Sequence, residues 1–157
     1  MPGMRRRCTR SVRLILESGL DPAQLFSDAK ATERTVEETL RIGAPVHIFQ
    51  RYCLEPCEID GVALKRGDKV SLLLAAANLD PNKFSDPLTF KPMRDEGANL
   101  SFGAGIHFCI GAPLARLELN IVLPLLFKRL PSLKIAAPPV VKDVYHFHGL
   151  EKLELTW

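Results

Sequence analysis

The sequence predicts an α+β fold, mainly α, on three observations. The composition is that of one ordinary domain, 157 residues of which 46% are hydrophobic and 25% charged, which excludes a disordered tail, a fibre and a disulfide-rich miniprotein. Helical patterns come first, then short extended runs punctuated by turn residues, an irregular loop, one strong helix and a second set of short extended runs. Asp80 to Met93 carries Pro81, Pro87 and Pro92, which excludes regular structure over much of that stretch. A loop of this length inside a domain usually carries function.

Residues 1–13 are expected to be a loose basic arm, because Arg5, Arg6, Arg7, Arg10 and Arg13 all precede the first acid, Glu17. The remaining 14–157 would form the folded unit. Asp21-Pro22-Ala23-Gln24 reads as a capping box that starts a helix of about two turns. A second helix is predicted from near Glu33 to Ile42, with Gly43 as a left-handed C-cap and Pro45 barring continuation. The period then changes. Val46, Ile48 and Cys57-Glu58-Ile59 look extended, Asp60-Gly61 signals a tight turn, and Lys65-Arg66-Gly67-Asp68 makes another. Val70 to Leu74 is an apolar run of strand length, and Ala75-Ala76-Ala77 can turn helical. Pro113 opens the strongest helix, in which Leu114, Leu117, Ile121 and Leu125 recur at helical spacing and Pro124 should kink or shorten the run. After Pro131, Leu133-Ile135 and Leu153-Leu155 are candidate strands.

Charge and hydropathy narrow the function classes. Lys and Arg number 21 against 18 acids, for a net +3. Without the five early arginines the balance turns slightly negative, so no nucleic-acid face is indicated. The longest uncharged stretch, Gly97 to Ala115, holds four glycines with Asn99, Ser101 and His107, so it is no membrane span. The arginine-rich start lacks the apolar segment of a signal peptide. Four irregularly spaced cysteines do not form a disulfide framework, and the expected location is the cytoplasm.

One segment stands out for chemistry: Phe102-Gly103-Ala104-Gly105-Ile106-His107-Phe108-Cys109-Ile110-Gly111. Its glycines let the backbone turn sharply and approach a flat ligand closely. Cys109 lies just ahead of the helix opened by Pro113, where unpaired N–H groups and the helix dipole favour a thiolate. A single soft thiolate in such a turn suits a metal that brings its other ligands along, as haem iron does. Two rival constellations are weaker. Cys53 and Cys57, with His47 upstream, have C-x₃-C spacing interrupted by Pro56 and lack a second pair to complete a zinc site. His146 and His148 alternate with Tyr145 and Phe147 on a predicted strand and read as a solvated face.

The spacing F-G-x-G-x-H-x-C-x-G, continued by Ala112-Pro113-Leu114-Ala115-Arg116-Leu117-Glu118, resembles the cysteine loop of the cytochrome P-450 haem-thiolate monooxygenases in their soluble bacterial form. Glu38-Thr39-Leu40-Arg41 is similar to that family's E-x-x-R motif. Ala77 to Pro81 and Phe84 to Pro87 look like the approach to its meander, and Phe147 to Trp157 like its closing β segment. The resemblance covers residues 14–157 and implies the C-terminal, haem-binding portion of the fold, with the N-terminal half absent. It implies Cys109 as the axial iron ligand and His107 and Arg51 on the haem propionates. Phe102, Gly103, Gly105 and Gly111 would shape the same cofactor site. It further implies a buried network of Glu38, Arg41 and Arg94. Val46, His47 and Ile48 are the candidate substrate-lining residues.

The implied cofactor is haem b, with electrons drawn from NAD(P)H through a ferredoxin and its reductase or a flavoprotein. The implied reaction inserts one oxygen atom from O₂ into a small apolar substrate. The family's distal helix carries an acid–alcohol pair after a glycine, and residues 1–37 contain no such motif; Asp28 to Thr32 lacks the preceding glycine. Asn99 also departs from the histidine many bacterial members carry. Two readings therefore stand: the haem-binding part of a monooxygenase, served by a separately encoded N-terminal half, or a non-catalytic remnant or haem- or partner-binding module.

Overall fold

The computed structural model describes residues 2–142 and 149–157, with side chains from residue 8 onward. His146 and His148, with Tyr145 and Phe147, lie outside the described residues. Helices α1 (Pro2–Ser18), α2 (Pro22–Leu25) and α3 (Ala29–Ile42) come first. Strands β1 (Ile48–Tyr52), β2 (Cys57–Ile59), β3 (Val62–Leu64) and β4 (Lys69–Leu73) follow, then α4 (Leu74–Ala77). A long irregular segment leads to α5 (Ala112–Arg129) and to β5 (Lys134–Ile135), β6 (Val140–Lys142), β7 (Gly149–Lys152) and β8 (Leu155–Thr156). The strands form antiparallel pairs, β1 with β4, β2 with β3, β5 with β8 and β6 with β7.

The expected loose arm is helical. Cys8, Val12, Ile15 and Leu16 recur at helical spacing and pack on the core, while Ser11 donates to the Thr39 hydroxyl at 2.9 Å. Counting arginines hid this stripe, because Arg10 and Arg13 are interleaved with its members in the sequence. Arg10 is itself tied down, donating to the Ala44 carbonyl at 2.8 Å, and burial, with Arg13 nearby, lowers its pKa to about 10.

Asp21 does cap α2, its carboxylate accepting from Ala23 N–H at 2.9 Å, but that helix is a single turn rather than two. α3 starts earlier than expected because Asp28 supplies a second cap, accepting from Ala31 N–H at 2.8 Å. Gly43 follows α3 with φ of −90°, not in the left-handed region. It is small for a different reason: a Cβ there would meet the Thr39 carbonyl oxygen at 2.5 Å and the Leu14 side chain at 3.1 Å. Between β2 and β3, Asp60 and Gly61 have φ of 48° and 76°, the paired positive values of a type I′ turn.

The core lies where α1, α3 and α5 meet. Val36 and Leu40 from α3 join Ala115, Leu119, Leu123 and Phe127 from α5, with Phe102 at the edge. Leu114, Leu117, Ile121 and Leu125, the apolar positions that recur at helical spacing, lie on the open face of α5, Leu117 57% exposed and Ile121 50%. A helix apolar on both sides offers two stripes at the same period, so periodicity cannot choose between them. Pro124 neither ends nor divides the helix. No described helix is long and apolar enough to cross a membrane.

Candidate functional site

Glu38 and Arg41 sit one turn apart on the buried side of α3, 4% and 2% exposed. Their pair is bidentate: Arg41 Nε donates to Glu38 Oε2 and Arg41 Nη2 to Glu38 Oε1, each at 2.8 Å. The remaining capacity of both groups goes to the irregular segment. Arg41 Nη1 donates to the carbonyls of Asn78 and Pro87 at 2.8 Å, and Glu38 Oε1 accepts from Lys91 N–H at 2.9 Å. Arg94 approaches Glu38 Oε1 at 3.4 Å and also binds Glu96. The Arg41 guanidinium lies over the Phe84 ring, 5.1 Å from its centroid. The three residues named from sequence are thus brought together, with the proline-rich segment wrapped around them. Without regular structure that segment must find its hydrogen bonds elsewhere, and buried side chains supply them.

Residues the sequence reading passed over complete the clamp. Asn78, fully buried, donates to the Arg41 carbonyl and to Ser101 Oγ at 3.2 and 2.9 Å, and accepts from Leu100 N–H at 2.6 Å. Ser101 Oγ donates to the Leu40 carbonyl at 2.6 Å. These bonds fasten the entrance of the glycine loop to the end of α3. Glu37, one position from Glu38, faces α5 and pairs with Arg116, at 2.5 Å to its Nε. Arg116 in turn covers the Phe102 ring at 4.8 Å. Asn99 donates to Glu37 Oε2 at 3.1 Å, so it holds a local contact of its own. A buried Asn two residues before Asp80-Pro81 was the one sequence signal for this cluster.

The loop itself closes on backbone bonds. Gly103 N–H donates to Leu100 O at 2.9 Å, Phe108 N–H to Gly105 O at 3.0 Å, and Cys109 N–H to Phe102 O at 2.9 Å. Gly103 and Gly105 have φ of 72° and 67°, values that L side chains rarely adopt. Cys109 ends this loop half-buried, and its carbonyl accepts from Ala112 N–H at the start of α5. Cys109 thus stands three residues ahead of the first residue of the 18-residue α5. A Cβ at Gly111 would stand 3.8 Å from the Cys109 sulfur, and one at Gly105 would meet nothing within 4 Å. Ile106 and Ile110 project from the loop almost fully exposed.

Beside the loop, a cleft of about 330 Å³ is lined by Arg51 and Phe49 of β1, Leu72 and Leu73 of β4, and Gly103 and His107. Strand β1 runs antiparallel to β4 with Arg51 opposite Val70. Arg51 and His107 are both exposed and share this cleft, a cation and an imidazole at the edge of an apolar wall. Phe102 is not on the cleft; it is buried in the core beneath Arg116. Val46, His47 and Ile48 are half-buried in the lead-in to β1. Burial, and then the charge of Arg10, lower the His47 pKa. Donor chemistry and shape fit a flat, apolar, carboxylate-bearing ligand with a soft metal at its centre: one thiolate ligand, open space over the glycines, and two groups able to bind carboxylates. No cluster of three or more His, Cys, Asp or Glu that could hold a bare metal ion occurs among the described residues.

Comparison with known proteins is consistent with this arrangement. A family model described as cytochrome P-450 matches residues 2–141. Cytochrome P-450 monooxygenase PikC of Streptomyces venezuelae is 40% identical over 139 residues, which is 86% of this chain and 33% of that protein. The biotin biosynthesis cytochrome P-450 of Bacillus subtilis is 41% identical over 150 residues, 95% of this chain and 38% of that protein. Among solved structures, P450BioI, crystallised in complex with an acyl carrier protein ligated to hexadec-9Z-enoic acid, superposes with a TM-score of 0.93 at 35% identity. That match covers 98% of this chain and 40% of that one. The chain spans about a third of the length of the curated relatives it matches.

Proposed function

The chain belongs to the cytochrome P-450 family and has part of its fold, and from that premise we propose that it is the haem-holding portion of a haem-thiolate monooxygenase. The observation that carries this is the half-buried Cys109, three residues ahead of α5, at the end of a loop with two positive-φ glycines and open space beside Gly105. Cys109 would hold the iron of haem b through its sulfur, and Arg51 and His107 would bind the haem carboxylates. Gly103, Gly105 and Gly111 leave room for the flat ring, and Phe102 supports the loop from the core side. When bound, the haem supplies reductive activation of O₂ for insertion of one oxygen atom into a substrate.

This chain's residues hold and orient that group. Cys109 lies three residues before α5, and the N-terminus of a helix is a setting that favours an anionic ligand nearby. Glu38, Arg41, Asn78 and Arg94 fix the segment that delivers the loop, so that the sulfur is presented in one position. Val46, His47 and Ile48 are the residues we assign to an apolar substrate. Electrons would come from NAD(P)H through a ferredoxin and its reductase or a flavoprotein, which a cytoplasmic location would provide. No acid–alcohol pair follows a glycine in 1–37, and we propose that coupled turnover needs a segment outside these 157 residues to close the distal side.

The test is the absorbance of the haem-loaded chain, reduced under carbon monoxide. The red-shifted band of a thiolate-ligated complex is expected in the parent, in Cys53→Ala and in Cys57→Ala, and is expected to vanish in Cys109→Ala. An unchanged band in Cys109→Ala would overturn the ligand assignment. Product formed in proportion to NAD(P)H consumed by the purified chain would overturn the need for a second segment.

A further inference from the structure

Among the described residues, the C-x₃-C pair that makes no zinc site is a chemical motif that the haem reading leaves over. The fold brings its two sulfurs together: Cys53 Sγ and Cys57 Sγ are 3.7 Å apart and hydrogen-bonded. Cys53 is half-buried just past the end of β1, and Cys57 is exposed at the start of β2. The two ends of the motif are held differently. Cys53 extends the β1–β4 ladder, its N–H donating to Asp68 O and its carbonyl accepting from Gly67 N–H, both at 2.8 Å. Leu54, Glu55 and Pro56 are all exposed, and the Cys53 thiol donates to the Glu55 carbonyl at 2.7 Å, a bond that closure would give up. A disulfide needs the sulfurs at about 2.05 Å, so closure requires an approach of roughly 1.7 Å, within reach of rotation of an exposed side chain and a small adjustment of the spacer. Cys8 lies on α1 against the core and Cys109 on the glycine loop, and no disulfide joins any of the four cysteines.

We propose that Cys53 and Cys57 form a redox-active dithiol that closes reversibly to an intrachain disulfide when oxidised by hydrogen peroxide. Cys57, the exposed member, attacks peroxide as its thiolate; an S–O bond forms, the O–O bond breaks, and hydroxide leaves to take up the thiol proton as water. The Cys53 sulfur then displaces hydroxide from the Cys57 sulfenic acid, and its own proton completes a second water. Two thiols and one peroxide become one disulfide and two waters, with two electrons passing from sulfur to oxygen. Burial and the Cys57 sulfur raise the Cys53 pKa, which suits it to the second, resolving step. An external dithiol reverses the reaction by exchange. In a reducing compartment a closely spaced, accessible pair of this kind is redox-sensing rather than structural. The proposal is independent of haem.

The test uses the reduced full chain and stoichiometric hydrogen peroxide, read by intact mass and peptide mapping. The expected product has lost two hydrogen atoms, yields a linked Cys53–Cys57 peptide, and recovers its mass with dithiothreitol. Phenylarsine oxide, which bridges paired thiols, should add once to the reduced chain and not to the oxidised chain, Cys53→Ser or Cys57→Ser. Oxidation in denaturant gives the rate due to spacing alone, and the folded chain should be faster. Four results would overturn the proposal: oxygen added to single sulfurs, cross-links through Cys8 or Cys109, an arsenical adduct that survives in Cys57→Ser, or equal rates folded and denatured.

Discussion

Replacing Glu38 by Gln keeps the shape of the side chain and removes its charge. In the folded protein Glu38 accepts from Arg41 through both oxygens at 2.8 Å, from Lys91 N–H at 2.9 Å, and lies 3.4 Å from Arg94 Nε, while being 4% exposed. A glutamine amide can serve only one side of this set, because its NH₂ turns a donor toward donors. Two guanidinium groups, Arg94 and the 2% exposed Arg41, would then face each other without the carboxylate between them. Removing one partner of a buried pair costs about 3–5 kcal/mol. Glu37→Gln is the internal control: its pair with Arg116 is one-third exposed and worth under about 1 kcal/mol. For a domain of this size the Glu38 variant should therefore melt roughly 6–20 °C lower, and the Glu37 variant no more than about 4 °C lower. Circular dichroism melts of the three proteins, run side by side, make the comparison. Equal melting temperatures would show that Glu38 is solvated in the folded state and that the clamp on the irregular segment does not exist.

Three further outcomes follow from the same contacts. Hydrogen bonds from Ser85 and then Arg94 push the Glu96 carboxyl down to about 2, from an ordinary 4.5. Its contribution to stability is therefore complete above 4.5 and is lost as pH falls from there toward 2. Parent and Glu96→Gln should differ in melting temperature at neutral pH and converge over that acid range, and a gap that persists at the lowest pH would refute the assignment. Gly43→Ala drives a Cβ to 2.5 Å from the Thr39 carbonyl oxygen, and a loss of about 1–3 kcal/mol is expected in denaturant unfolding; a neutral result would mean that the last turn of α3 shifts at little cost. On α5, Leu117→Gln and Ile121→Gln replace open-face side chains and should change stability by less than about 0.5 kcal/mol while lowering self-association in sedimentation. A loss above about 2 kcal/mol, the scale of a buried leucine, would place these residues in the core instead.

What could be read from the sequence was what depends on near neighbours. Asp21-Pro22, Asp60-Gly61 and the glycines before Cys109 each act through a cap or a φ value set within a few residues, and each does its expected local work. The E-x-x-R spacing put Glu38 and Arg41 on one helical face, which is again a local property. What could not be read was which surfaces are covered. The face of α5 that is buried, the helical state of residues 2–18 and the Leu14 side chain that crowds Gly43 all depend on atoms contributed from distant parts of the chain. The clamp shows the same division: besides Arg94, its partners are the carbonyls of Asn78 and Pro87 and the N–H of Lys91. Every residue but proline carries both of those backbone groups, so no letter in the sequence marks them. Only the path of the folded chain brings them to the two buried charges, because a buried ion must find hydrogen bonds wherever the backbone supplies them.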